Sequence, residues 1–407
     1  MFHFLLSLLI IIIISQLFGT LAKMIGQPKV VGEMIGGILA GPSFLGILFP
    51  SVQEWLFNKE IKEQLYLLSQ LGISLYMFLI GIQVRKEKME NSLFKNALQL
   101  ALVGIIPTFS MIFAFSWYIY PSLEFKLTSQ LVYSLFMSAS ISVTAFPVLV
   151  RILDQQKMIQ TKLGRFVILG ASIDDVIAWI MLPIILSIAS LNFSVSSMNI
   201  LIYIIVYLLI MFFVIKPILK YIVANKYKAL NNEFFALFLF IFLLSSLLSE
   251  KIGLHAIFGG FIAGLIVPRL DKVTKELDAN IQNFVSTLLV PIYFVSSGFN
   301  VDLSSFTSSN HLVIVSIFIV TAFISKYFPC LIYAKTIGYS WRESSAIGAL
   351  MNARGLMILI FANIGLSSKL ISNTDYSILF LVAIVTTILT SPLVKKSLHW
   401  KTKVQDK

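Results

Sequence analysis

The chain alternates long apolar runs with short polar gaps, and few runs carry a charge. A window of about 20 residues, the helix length that crosses a hydrocarbon core, predicts thirteen segments: 3–22, 30–49, 66–84, 96–118, 130–150, 164–190, 198–222, 233–249, 253–268, 280–298, 311–334, 343–365 and 376–394. The second and ninth are short and rich in glycine, a pattern shared with re-entrant segments. The run that starts at Leu5 has no Lys or Arg before it and continues to about Leu21. It therefore reads as a first membrane helix and not as a cleaved leader.

Charge tests this map. With the N-terminus placed outside, the gaps on the inner side hold 24 of the 31 lysines and arginines. The outer gaps hold five: Lys59, Lys62, Lys126, Lys251 and Lys369. One missed span would invert every later gap and scramble the alternation. An odd count follows, with the N-terminus outside and the C-terminus in the cytoplasm.

Composition removes other classes. Hydrophobic residues make up 58% of the chain and charged residues 12%, about half the charged share of a soluble domain. The net charge of +12 lies in the gaps, where it sets orientation; no nucleic-acid partner is expected. Cys330 is the single cysteine, which excludes a disulfide framework and predicts a small packing residue. No GxxxxGK[ST] loop is present to drive transport with ATP. His3, His255, His311 and His399 all lie near span ends without metal-ligand spacing, so no enzyme and no cofactor are expected.

Two basic residues, Lys326 and Arg354, and two acidic ones, Asp174 and Asp175, fall in the middle of predicted spans, away from the polar gaps. Each costs at least about 2.5 kcal/mol at the centre of a bilayer, so such residues carry a partner or a task. Neighbouring helical residues point about 100° apart, so one aspartate can face a cavity while the other faces a helix. Two carboxylates so close do not both ionise easily, which suits a site that holds either a proton or a cation. Lys326 is the expected partner of one of them. Asn352 and Gly355 beside Arg354 predict a broken twelfth span, with the arginine balancing two half-helix ends. The fifth span is interrupted by Ser138, Ser140, Ser142, Thr144 and Pro147; its hydroxyls can re-satisfy freed backbone groups or bind a cation. If the seventh span (about 198–222) is a linker, the halves at about 1–190 and 233–396 each carry one interruption at the matching place, as inverted repeats do. Residues 397–407 form a short basic cytoplasmic tail. Glu33 reads as an exposed interfacial carboxylate, and His255 as an unremarkable helix start.

These stretches resemble the monovalent cation:proton antiporter-2 family, which includes Kef-type, NapA-type and plant and fungal cation/H+ exchangers. The resemblance rests on Pro28-Lys29-Val30-Val31-Gly32-Glu33 with Gly41-Pro42-Ser43, Thr144-Ala145-Phe146-Pro147, Ile173-Asp174-Asp175-Val176, Gly253-Leu254-His255-Ala256, Tyr293-Phe294-Val295-Ser296-Ser297-Gly298 and Met351-Asn352-Ala353-Arg354-Gly355. It runs nearly end to end. It implies an all-α polytopic fold of the NhaA/NapA kind. Such a protomer has thirteen helices, a dimerisation domain and a six-helix core with two crossed broken helices, and it forms a homodimer. Asp175 matches the family's cation- and proton-binding aspartate, Asp174 the neighbour that pairs with a lysine placed like Lys326, and Thr144 the unwound crossover beside the ion. Kef-type members carry Gln in place of Asp174 and a cytosolic nucleotide-binding domain that is not found here.

The expected activity is antiport of Na+, K+ or Li+ against protons by elevator-type alternating access. Asp174, Asp175, Thr144 and Ser142 are the expected cation and proton ligands, Asp175 foremost for Na+ or K+. Lys326 is the charge partner, and Arg354 and Asn352 stabilise the crossover. The setting is a bilayer, expected to be a prokaryotic inner membrane. The competing readings are a gated cation channel and a sodium-coupled symporter of an organic solute.

Overall fold

Hydrocarbon offers a backbone no hydrogen-bond partner, so an apolar run that crosses it closes its own bonds as a helix. The computed structural model describes residues 1–84, 91–123, 126–189, 196–226, 232–252, 255–268, 282–303 and 309–399. Among them every regular element is helical. α1 (Phe2–Met24) and α2 (Lys29–Ala40) lead through two short helices, α3 (Leu45–Leu48) and α4 (Pro50–Leu56), into α5 (Lys59–Val84) and α6 (Asn91–Ile119). α7 (Gln130–Ser142) and α8 (Phe146–Gln155) are two halves of one span, and α9 (Lys162–Ala189) follows. α10 (Ser196–Leu209) continues through a π-helical stretch, Ile210–Ile215, into α11 (Lys216–Lys226), where the linker span was expected. α12 (Asn232–Ile252) precedes the short α13 (Ala256–Ile266); a second π stretch, Val285–Leu289, opens α14 (Val290–Gly298). α15 (Ser309–Thr336), the paired halves α16 (Trp341–Leu350) and α17 (Gly355–Ser367), and α18 (Asn373–His399) complete the chain.

Eleven of these stretches among the described residues are long and apolar enough to cross a membrane. The expected count of thirteen is not confirmed, and the two shortfalls are the ninth and tenth predicted spans. α13 has 11 residues, about 16 Å of helix at 1.5 Å per residue, against a hydrocarbon core of about 30 Å. The tenth is described only from residue 282. Several residues used for orientation and resemblance lie outside the described set: Arg85, Lys86, Lys88, Lys228, Gly253, Leu254, Arg269, Lys272, Lys275, Lys401, Lys403 and Lys407, with most of the 397–407 tail.

The helices sort into two compact units that interleave along the chain. The smaller comprises Met1–Ile12, Leu56–Lys88 and Leu186–Ser296. Its tightest seam joins α13 to α5, where glycines let the backbones meet. A Cβ on Gly264 would fall 2.1 Å from the Phe78 carbonyl oxygen, and one on Gly260 2.4 Å from that of Ser74. Gly260 and Gly264 are four residues apart, the small-residue spacing by which membrane helices pack closely. The larger unit comprises Ile13–Trp55, Met89–Ile185 and Ser297–Lys407. It contains α6, both interrupted spans, α15, α18 and most of α9, and with them all four charges predicted inside spans.

One expectation is overturned within the larger unit. Glu33 is 1% exposed. The neighbouring Gly32 presses α2 onto α1, where an added Cβ would sit 2.1 Å from the Phe18 carbonyl oxygen. That backbone contact carries Glu33 under α1 with it.

Candidate functional site

The two interruptions meet. α7 ends at Ser142 and α8 begins at Phe146, with Val143, Thr144 and Ala145 extended or unwound between them. Pro147 sits in the first turn of α8, where its missing N–H costs nothing. The second break runs from Met351 to Arg354. The strands of the breaks satisfy each other: the Ala145 N–H donates to the Ala353 carbonyl at 2.7 Å, and the Thr144 hydroxyl to the Met351 carbonyl at 2.7 Å. Gly355 opens α17, and its N–H donates to Thr387 Oγ1 of α18 at 3.2 Å.

Four half-helices therefore point their ends at one place. The C-terminal ends of α7 and α16 bring partial negative charge, and the N-terminal ends of α8 and α17 bring partial positive charge. The four intramembrane charges lie among these ends, each at most 1% exposed. Lys326, on α15, donates to Asp174 Oδ2 at 2.7 Å and to the Ser142 carbonyl at 2.5 Å. One ammonium thus pairs a carboxylate and caps the end of α7. Asp174 Oδ2 also accepts the Thr144 backbone N–H at 3.1 Å. Arg354 donates to the Ala322 carbonyl of α15 and, at 3.4 Å, to Asn352 Oδ1, while Asn352 Nδ2 donates to the Gly348 carbonyl at 3.1 Å.

The two aspartates are inequivalent. Asp174 is held by a lysine and a backbone N–H. Asp175 presents both oxygens to the interior with no hydrogen bond of ordinary geometry, and it faces the backbone N–H of Phe146, the first residue of α8. A buried carboxylate without partners is costly. A proton or a desolvated cation supplies what the protein withholds. Oxygen donors of this kind, with the Thr144 hydroxyl beside them, suit a hard monovalent ion.

The structure thus gathers Asp174, Asp175, Thr144, Lys326, Asn352 and Arg354 in one place. Ser142 joins them by its carbonyl; its hydroxyl turns back to the Ala139 carbonyl at 3.1 Å. Lys326 is fully buried, and Arg354 lies in the second break itself. Five further participants were not singled out from the sequence: the Phe146 N–H, the Met351 and Ala353 carbonyls, Thr387, and Gly104. A Cβ on Gly104 would lie 3.1 Å from both Lys326 Cε and Cys330 Sγ, so a glycine leaves room for the lysine. Of these, only Gly104 and Thr387 carry a side-chain signal, and neither stands out in an apolar run. Cys330 is fully buried and free of any disulfide, one turn from Lys326. His255 caps α13 at φ +72°, a strained angle for a non-glycine residue, and its carbonyl accepts the Ser249 hydroxyl at 2.5 Å. Among the described residues no group of three or more His, Cys, Asp or Glu side chains is placed to hold a metal ion.

Comparison with known proteins follows the same line. The family model described as sodium/hydrogen exchanger, transmembrane, matches residues 7–396. A Na+/H+ antiporter of Synechocystis, NhaS4, is 36% identical over 394 residues, 96% of each chain. K+/H+ antiporter 1 of Saccharomyces cerevisiae is 31% identical over 96% of this chain, which spans 46% of the yeast protein. Among solved structures, the sodium proton antiporter MjNhaP1 of Methanocaldococcus jannaschii superposes with a TM-score of 0.65 over 97% of each chain at 17% identity, a likeness of fold.

Proposed function

This chain belongs to the sodium/hydrogen exchanger transmembrane family, and on that premise we propose that it exchanges a monovalent cation for protons across a membrane. The observation that carries the reading is the contrast between the aspartates. Asp174 is neutralised by Lys326, whereas Asp175 is buried beside it with both oxygens unpartnered. Occupancy of Asp175 by a proton and by a cation is mutually exclusive, because one carboxylate in low dielectric is stabilised by either but holds one at a time. That competition enforces exchange. Thr144 Oγ1 and carbonyls of the breaks complete the oxygen shell, and Arg354 and Asn352 hold the second break in register.

Lys326 releases Asp174 when an ion enters and takes it back when the ion leaves; if the lysine loses a proton on release, two protons move per cation. Alternating access comes from movement of the elements that carry the site, in a homodimer of the elevator type. The membrane is a prokaryotic plasma membrane with the N-terminus outside. This is supported by the alternation of basic residues along the sequence and by near full-length similarity to bacterial antiporters from Synechocystis and Enterococcus hirae.

Purified protein in liposomes with an imposed pH gradient and a trapped pH dye tests this. Na+, K+ or Li+ added in turn is expected to dissipate the gradient. Asp175→Asn is expected to abolish the response, and the ion with the lowest half-saturating concentration is the substrate. Undiminished cation-triggered proton flux in Asp175→Asn overturns the reading.

A further inference from the structure

A helix that starts inside a bilayer needs protein partners for its first N–H groups, because hydrocarbon offers none. α17 starts in this way at Gly355, and it has no cap of its own. Arg354 holds the N-cap position, but its side chain turns away to the Ala322 carbonyl of α15. The partner comes from the next helix. Thr387 of α18 is fully buried, and its Oγ1 accepts the Gly355 N–H at 3.2 Å. The proton of that hydroxyl is committed to the Ala383 carbonyl at 2.7 Å, so the oxygen is left to accept. α8 presses on the same glycine: a Cβ on Gly355 would lie 2.7 Å from Val148 Cγ2.

This tie adjoins the backbone of the ion site. The Ala353 carbonyl is bound by the Ala145 N–H of the first break, and the Gly355 N–H by Thr387. Arg354, between them, is thus fixed at the peptide on either side. The Met351 carbonyl, earlier in the same strand, accepts the Thr144 hydroxyl. The second break is therefore held by the first at one end and by α18 at the other. The first break has the same plan with a different outcome. α8 also lacks a cap of its own, and Asp175, on the helix after it, faces its first N–H. Where that helix offers Asp174 and Asp175, α18 offers Thr386 and Thr387. One break ends at a carboxylate that must also take an ion; the other ends at a hydroxyl that carries no charge.

We propose that Thr387 is a positioning residue for cation binding: its hydroxyl pins the start of α17 to α18 and so keeps the second break in the register that holds the Thr144 hydroxyl at the ion site. The inference rests on the exchange reading above. A cation arriving at Asp175 repels the positive end of α17 and the Arg354 guanidinium. The bond from Gly355 to Thr387 resists that push. Without it the second break slackens, the oxygen shell loosens, and cation affinity falls while the exchanging groups remain intact.

Three variants test this. Thr387→Val removes the hydroxyl at nearly constant shape, and Thr387→Ser retains it. Thr386→Val is the control, because the Thr386 hydroxyl bonds to carbonyls of its own helix, Val382 at 2.7 Å and Ala383 at 3.4 Å. Each is titrated with cation in the liposome assay and unfolded thermally in detergent. Thr387→Val is expected to raise the half-saturating cation concentration about 3- to 30-fold with maximal rate retained. Thr387→Ser and Thr386→Val are expected to keep the wild-type half-saturation. If Thr387→Val does not fold, Thr387→Ala reads the same loss. A role in stability alone would lower Tm in Thr387→Val and leave its half-saturation at the wild-type value. That outcome overturns the proposal, as does an equal rise in Thr386→Val, or a Thr387→Ser variant as weak as Thr387→Val. A wild-type protein that exchanges nothing refutes the exchange reading, and the positioning role falls with it.

Discussion

At the scale of single residues, the charges inside spans were legible because they interrupt apolar runs. Asp174, Asp175, Lys326 and Arg354 stand out by cost alone. What they do to one another was less legible. Spacing leaves open which aspartate takes the lysine, and the structure gives it Asp174 through Oδ2. Removing one member of a buried pair strands the other. Lys326→Gln is therefore expected to destabilise the protein by about 3–5 kcal/mol, seen as a large fall in Tm in detergent. Asp174→Asn combined with Lys326→Gln removes the stranded charge and is expected to recover most of that fall. A double variant as unstable as the sum of its parts would mean that the ion pair is not what holds these residues. Glu33 shows the opposite case. It sits near the start of an apolar run beside a lysine, which is how an interfacial carboxylate looks in sequence. Its burial depends on a backbone contact at Gly32 that no periodicity encodes.

At the scale of elements, the breaks were visible as serines, a proline, an asparagine and glycines within runs that otherwise read as continuous spans. Their mutual pairing was not visible, because it joins one hydroxyl and one backbone N–H to carbonyls 207 and 208 positions away in sequence (Thr144 to Met351, Ala145 to Ala353). The resemblance to a family with crossed broken helices brought that expectation in from outside the residue pattern. Thr144 ties the two breaks through its hydroxyl and holds Asp174 through its N–H, which a substitution leaves in place. Thr144→Val removes the hydroxyl at nearly constant shape. It is expected to cost about 1 kcal/mol of stability and to raise the half-saturating cation concentration, whereas Thr144→Ser stays close to wild type. Exchange kinetics of the two variants check this. An unchanged cation titration in Thr144→Val would take the hydroxyl out of the ion's shell and leave it a purely structural tie.

At the scale of the whole molecule, the number of crossings turns on how the chain runs between α12 and α15. Eleven crossings and thirteen are both odd, so either count would put the two ends of the chain on opposite sides, and the overall charge alternation does not separate them. The gap between α13 and residue 282 does. If α13 and the 282–298 segment both cross, Arg269, Lys272 and Lys275 share a side with the basic C-terminus. If neither crosses, those three stay with Lys251 on the side that is otherwise poor in basic residues, against the rule that governs the other gaps. The brevity of α13 is no bar to crossing. Non-helical backbone is tolerated at membrane depth where protein covers it. α13 is enclosed by α5 through its glycines, and its N-terminal end is met by α12, where Ser249 donates to the His255 carbonyl and Glu250 accepts the Ala256 N–H. Charge and packing together favour two crossings. Cys330 is the single cysteine, so a Cys330→Ala background allows one reporter thiol at a time. Lys272→Cys is expected to react with an impermeant maleimide from the same side as Lys403→Cys and from the side opposite to Lys251→Cys. Labelling of Lys272→Cys from the Lys251 side would instead make both segments re-entrant and reduce the molecule to eleven crossings.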